Sequence, residues 1–213
     1  MYEKILHSGL LTQVRDLYSD LQSTDLIFHN WTHVHFVTKS AAKFAQQVNA
    51  AIELTTTAAL LHDLNYFFGT TSGPEAGQQK RTEILRNHNF EAEFMFKVEE
   101  TIVSAHTAYR GNSLTLEAQC LSDADSLFKA IPVTPVLNAR KYCKETGMSL
   151  RDLAEKVVSE QKPLLEKDIY FYTDYARMHY LHFAQTNLDL WTNILAWFDS
   201  DSFDEAYSDF DDA

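Results

Sequence analysis

Ala58-Ala59-Leu60-Leu61-His62-Asp63-Leu64 is the stretch on which the fold turns. An almost continuously apolar run from Thr57 to Leu61 reads as a buried helix. It ends on an adjacent histidine and aspartate. A His-Asp pair emerging from a buried helix is costly unless it has a partner. A metal ion is one such partner, because imidazole offers a neutral nitrogen and the carboxylate an anionic oxygen. Backbone groups or solvent at the helix end are the other.

Outward from this stretch the pattern is helix after helix. Ile5, Leu6, Leu10, Val14, Leu17, Tyr18 and Leu21 recur at helical spacing over 3–22. Asn30 or Thr32 caps a second helix carrying Val34, Val37, Ala41, Phe44, Ala45 and Val48. The apolar run belongs to a third helix over 51–67. Pro74 suits the first turn of a fourth that ends near Asn87. A fifth spans 90–107, and a sixth spans 116–131 before Pro132 and Pro135 stop it. Shorter helices over 136–146 and 149–160 flank Gly147, and an amphipathic segment over 172–198 closes the chain. Nothing alternates with period two for long enough to be a strand. The expectation is an all-α fold, a single helical domain over 1–198 with an acidic tail over 199–213.

Composition narrows the function. The chain has 213 residues, with 18 Lys+Arg against 30 Asp+Glu and a net charge of −12. That acidity excludes a polyanion-wrapping protein, because nucleic-acid polymers are held by neutralising phosphates. The tail from Asp199 to Ala213 holds seven acids and no base, and reads as a solvated terminus. Cys120 and Cys143 form no metal or disulfide spacing. There is no signal-peptide pattern and no apolar run long enough to span a bilayer. A soluble cytoplasmic protein without a membrane partner is expected, and a homo-oligomer is compatible with the sequence.

Two more stretches bear on the His-Asp pair. Phe28-His29-Asn30-Trp31-Thr32-His33 places two histidines four apart, on one face if both are helical. Such a pair binds one metal together, or one binds while the other meets substrate. Ser122-Asp123-Ala124-Asp125-Ser126-Leu127 sets two carboxylates into an otherwise apolar helix. His106 ends the fifth helix. Arg110 follows it, a guanidinium suited to a phosphate or equally to an ordinary surface role. His88 reads as exposed, and His7, His35, His179 and His182 as surface or core-edge residues. Lys80 and Arg81 read as a solvated face near the site mouth.

The ordered set resembles the HD-domain superfamily of metal-dependent phosphohydrolases, whose pattern is H…HD…D on a helical bundle. Phe28-His-Asn-Trp-Thr-His is similar to the segment around the first metal histidine of that family. Leu60-Leu61-His-Asp-Leu is similar to its central pair, and Asp123-Ala-Asp-Ser-Leu to its final aspartate segment. The resemblance covers roughly 25–130 and implies an HD-type bundle with additional C-terminal helices. It implies His33, His62, Asp63 and Asp125 as ligands of one divalent transition metal: Mn, Fe, Co, Ni or Zn, with Mg a further candidate. Asp123 is the alternative to Asp125. The segment before the fourth helix lacks the histidine of dinuclear members, which favours one ion. The resemblance further implies a hydrolase that cleaves a phosphoric ester or anhydride bond of a nucleotide or other small phosphorylated metabolite. Asp63 would orient the water, His29 would protonate the leaving oxygen, and His106 and Arg110 would hold the phosphoryl group. Two other readings stand beside it: an HD-fold di-iron oxygenase, and a non-catalytic protein binding a phosphate ligand with a vestigial metal site.

Overall fold

Asn30 begins the part of the chain that builds the site. Its side chain accepts hydrogen bonds from the backbone N–H of Thr32 (2.8 Å) and His33 (3.3 Å). These satisfy two of the donors that a helix start leaves unpaired. The helix that follows, α2, runs Trp31–Val48 and ends on Asn49 in the left-handed region, φ 58°. The computed structural model describes residues 8–20, 26–200 and 202. His7, the ends of the helix expected over 3–22 and most of the acidic tail lie outside them.

Helix α1, Ser8–Asp20, precedes the capped α2. Helix α3 follows over Ile52–Leu61, with every residue from Thr55 to Leu61 buried. Thr55 and Thr56 return their hydroxyls to the carbonyls of Ala51 and Ile52, so a run of threonines survives without solvent. Next come α4 (Gln78–Asn87), α5 (Ala92–Ala105), α6 (Leu116–Ala130), α7 (Val133–Thr146), α8 (Leu150–Glu166) and α9 (Asp174–Phe198). Among the described residues there is no strand, and the fold is all-α. No described helix is long and apolar enough to cross a membrane.

Helix α2 lies between α3 and α6, and α5 packs against both of those. Their inward residues, Val34, Val37, Phe44, Leu60, Leu61, Ile102, Leu121 and Ala124 among them, form one core. Leu10 and Val14 of α1 and Tyr170 and Phe171 ahead of α9 complete it. A smaller cluster joins Leu153 and Ala154 of α8 to Trp191 of α9, with Tyr142 of α7 bridging to the main core. Helices α8 and α9 pack along each other, and α9 also packs on α6.

Four boundaries depart from the sequence reading. The fourth helix starts at Gln78, and Pro74–Gly77 before it is a 3₁₀ turn. The third helix does not run on to residue 67. It ends at Leu61, and His62–Phe68 winds as a tighter 3₁₀ helix. The seventh begins at Val133, so Pro132 is its cap and Pro135 lies in its first turn, where a missing N–H costs nothing. The eighth continues six residues beyond 160 and carries Pro163 inside it. An internal proline costs about 3 kcal/mol. Leu164 and Leu165 pack against the main core and hold that last turn in place. Arg81 is also not on a solvated face: it is 1% exposed, paired with Glu99 of α5 at 2.5–2.8 Å and with the Pro74 carbonyl at 2.6 Å.

Candidate metal centre

The switch from α3 to the 3₁₀ turn re-aims His62 and Asp63. His62 Nδ1–H donates to the Ala59 carbonyl at 2.8 Å. That bond fixes the tautomer and leaves the Nε2 lone pair facing inward. There it meets Nε2 of His33, one turn into α2, at 3.3 Å. Asp63 spans the two rings, with Oδ1 3.0 Å from His62 Nε2 and Oδ2 3.0 Å from His33 Nε2. Asp125, on α6, brings Oδ1 to 3.5 Å from His33 Nε2. Helix α2, the 3₁₀ turn after α3, and α6 thus bring these groups together.

The donor set fits a divalent cation. One ligand atom each from His33, His62 and Asp63 lie within 4.8 Å of one another. Asp63 Oδ2 is buried and receives no well-aligned hydrogen bond, although His33 Nε2 lies 3.0 Å from it. Converging donor atoms on two imidazoles and the Asp63 carboxylate call for a shared positive partner. Burial pushes the Asp63 carboxyl up, but the rings of His62, His33 and His29 outweigh it and hold it well below the usual carboxylate range. Burial likewise opposes ionisation of Asp125. Lys129, His33 and His62 still bring it down to about 2.

Asp123 goes elsewhere. It accepts hydrogen bonds from the N–H groups of Tyr172 (2.7 Å) and Thr173 (2.8 Å) and from the Thr173 hydroxyl (2.7 Å). It therefore pins the start of α9 to α6 and takes no part in the cluster.

His29 and His33 do not share a helical face, because His29 lies one residue before the Asn30 cap. His29 instead stacks on Tyr66 of the 3₁₀ turn, with ring centroids 3.8 Å apart and planes 19° apart. Its Nδ1 pairs with Glu145 Oε1 of α7. Glu145 Oε2 also accepts the backbone N–H of Phe28 at 2.6 Å and of His29 at 3.2 Å. His29 is thus held on both sides next to the cluster.

A cavity of about 500 Å³ opens beside these groups. His29, Tyr66, His106 and Lys129 line it on the cluster side, and residues of α7, α8 and α9 line the rest. His106 caps α5, and burial, with Lys129 next, pushes its imidazole pKa down. Lys129 Nζ sits 2.7 Å from Asp125 Oδ2. Burial draws its ammonium pKa down, and Asp125 more than offsets this.

Arg110 is not turned toward the cavity. Its guanidinium donates to the Tyr170 carbonyl, to Ser122 Oγ (2.7 Å) and to Ser126 Oγ (2.6 Å), and it lies over the Tyr172 ring. With its Nη donors spent on loop and helix, it ties the α5–α6 connection to α6. His88 is half-buried, 2.8 Å from Gln13 Oε1, rather than exposed. Glu145, Tyr66 and Lys129 are absent from the sequence reading. Lys129 and Tyr66 lie four and three residues past predicted ligands. Glu145 is 116 residues from His29 and carries no local signal.

The HD domain family model matches residues 30–129. No curated protein matches. Several solved structures share the fold, among them the following three. A protein from Lactobacillus plantarum is 20% identical, with 90% of this chain and 95% of that chain covered and a TM-score of 0.65. A predicted HD superfamily hydrolase from an uncultured Thermotogales bacterium is 20% identical, with 90% of each chain covered and a TM-score of 0.57. Bacillus subtilis YpgQ in complex with ADP is 18% identical, with 94% of this chain and 97% of that chain covered and a TM-score of 0.57. His33, His62, Asp63 and Asp125 all fall within the span that the HD domain model matches.

Proposed function

We propose that the chain is a metal-dependent phosphohydrolase acting on a nucleotide or another small phosphate ester. The observation that carries this reading is Asp63, bridging His33 and His62 at 3.0 Å each beside a cavity lined by His29, His106 and Lys129. His33, His62, Asp63 and Asp125 would hold one divalent ion. The chemistry such an ion supplies is neutralisation of phosphoryl charge and acidification of water. The chain's own groups do the rest. Lys129 and His106 face the phosphoryl oxygens from the cavity wall. His29 presents Nε2 toward the cavity while Glu145 holds Nδ1, which orients the ring to give a proton to the leaving oxygen. Asp63 also positions the attacking water. Arg110 has no part in this scheme, because its Nη donors are engaged elsewhere and it does not line the cavity.

The ADP bound to YpgQ makes nucleotides the first compounds to try. Metal content per chain is measured by mass spectrometry on wild type and Asp63→Ala, and both are assayed on nucleotides and sugar phosphates with the recovered ion added. The expected result is an ion and turnover in the wild type, and neither in the variant with helicity kept. An Asp63→Ala protein that hydrolyses substrate without metal would overturn the reading. Oxygen consumption with two irons per chain would replace it with the di-iron one.

A further inference from the structure

Asn187 of α9 is a buried polar side chain that the site described so far does not use. It is 2% exposed and lines the cavity on the wall away from the domain's histidines. Its amide Nδ2 donates to Gln161 Oε1 of α8 at 3.1 Å. Its Oδ1 is buried with no hydrogen-bond partner among the described residues. An unmet buried acceptor is disfavoured. Leu153, Val157 and Leu164 of α8 and Trp191 of α9 supply the apolar part of that wall, beside Lys156 and Glu160 of α8, which pair with each other.

We infer that the Asn187–Gln161 carboxamide pair is a recognition element for the hydrogen-bonding edge of a planar ring, seated against Trp191. The inference rests on the phosphohydrolase reading for the placement of the phosphate. With Nδ2 of Asn187 given to Gln161, Asn187 Oδ1 is an acceptor and Gln161 Nε2 a donor on the same wall. An acceptor beside a donor complements a ring edge that carries an N–H next to a ring nitrogen or carbonyl. Each nucleobase has such an edge, and a sugar phosphate has none. The apolar side chains and the indole supply the face on which such a ring lies. Both residues lie outside 30–129, so the C-terminal helices would set specificity while the HD domain does the chemistry.

The test uses the full chain stripped of metal with a chelator, and nucleosides and ribose 5-phosphate as probes in isothermal titration. Phosphate-free nucleosides should bind, with Kd values that differ from base to base. In Asn187→Leu, a change of similar volume, nucleoside binding should weaken roughly 10- to 100-fold, as for other sites that lose a buried partner to a ligand N–H. Ribose 5-phosphate binding should be unchanged. Gln161→Met should act in the same direction, which guards against a folding defect in either variant. Equal nucleoside affinities in wild type and both variants, or no nucleoside binding in the wild type, would overturn the inference. Nucleoside binding that needs Asn187, in a protein that hydrolyses no phosphate ester with any metal, would uphold the inference and remove the phosphohydrolase reading instead.

Discussion

Asp123 and Asp125 stand two residues apart on α6 and serve opposite partners. Asp123 takes three hydrogen bonds from Tyr172 and Thr173, and Asp125 lies 3.5 Å from His33 Nε2. Two residues along a helix is about 200° of rotation, so the two carboxylates must face different elements. Burial alone would push the Asp123 carboxyl up, and despite its three donors it remains at about 6. The substitutions should therefore separate. Asp125→Asn should lose metal affinity by roughly 10- to 100-fold, with stability changed little. Asp123→Ala should keep the metal and lose about 3 kcal/mol, because three donors are left unpaired. Metal content and urea midpoints on the same preparations would show this. Metal loss in Asp123→Ala with normal stability would exchange the two roles.

His29 and Glu145 should separate binding from turnover in a second way. His29 Nε2 is not part of the cluster around Asp63, so His29→Gln should keep the ion and lower kcat roughly 10²- to 10⁴-fold. Glu145→Gln preserves a hydrogen-bonding shape but loses the charge beside His29 Nδ1. Its kcat should fall less than that of His29→Gln, with KM little changed. A His29→Gln protein purified without metal would make His29 a ligand instead.

The parts of the fold legible in sequence were those set by local rules. A cap at Asn30 or Thr32, the buried run from Thr57 to Leu61 and the Pro74 turn follow from spacing and residue type, and the H…HD…D order from the resemblance to the HD-domain superfamily. The missed features have a common physical origin. His62 leaves the α-helix because its side chain bonds Ala59 O, a local competition that periodicity does not encode. Pro163 stays in a helix because distant packing outweighs its lost hydrogen bond. Glu145 and Asn187 reach the cavity only through the docking of α7, α8 and α9. Arg110 reads in sequence as suited to phosphate because its position says nothing about Ser122, Ser126 and Tyr170, which take its Nη donors.

Acid sensitivity should trace in part to Glu145. Burial pushes its carboxyl up, but the His29 ring and the N–H groups of Phe28 and His29 outweigh this and hold it below its ordinary value of 4.5. Between that lowered pKa and 4.5 the unfolded chain binds more protons than the folded one. Its contribution to stability is therefore complete above this interval and is lost as pH falls through the folded pKa. Urea midpoints at about pH 6 and about pH 3 would show a smaller fall for Glu145→Gln than for wild type. An equal fall in both would place the acid sensitivity elsewhere.

Gly77 should be intolerant of any side chain, for a reason that links α4 to the His-Asp turn. A Cβ there would lie 2.3 Å from Arg81 Nη1 and 2.9 Å from the backbone N of Asn65. Arg81 is too constrained to yield easily, since it is buried and bonded to Glu99 and to the Pro74 carbonyl. The Asn65 backbone belongs to the 3₁₀ turn that carries His62 and Asp63. Gly77→Ala should therefore cost about 1–3 kcal/mol, as overpacking does elsewhere in protein cores. The strain should also reach the cluster, so metal affinity should fall together with the thermal midpoint. Gly147, which has nothing within 4 Å of an added Cβ, is the matched control. Its left-handed φ of 73° makes Gly147→Asn the appropriate change, with stability altered by less than about 1 kcal/mol and the metal kept. A Gly77→Ala protein as stable as wild type would show that Arg81 and the turn relax more freely than their contacts imply.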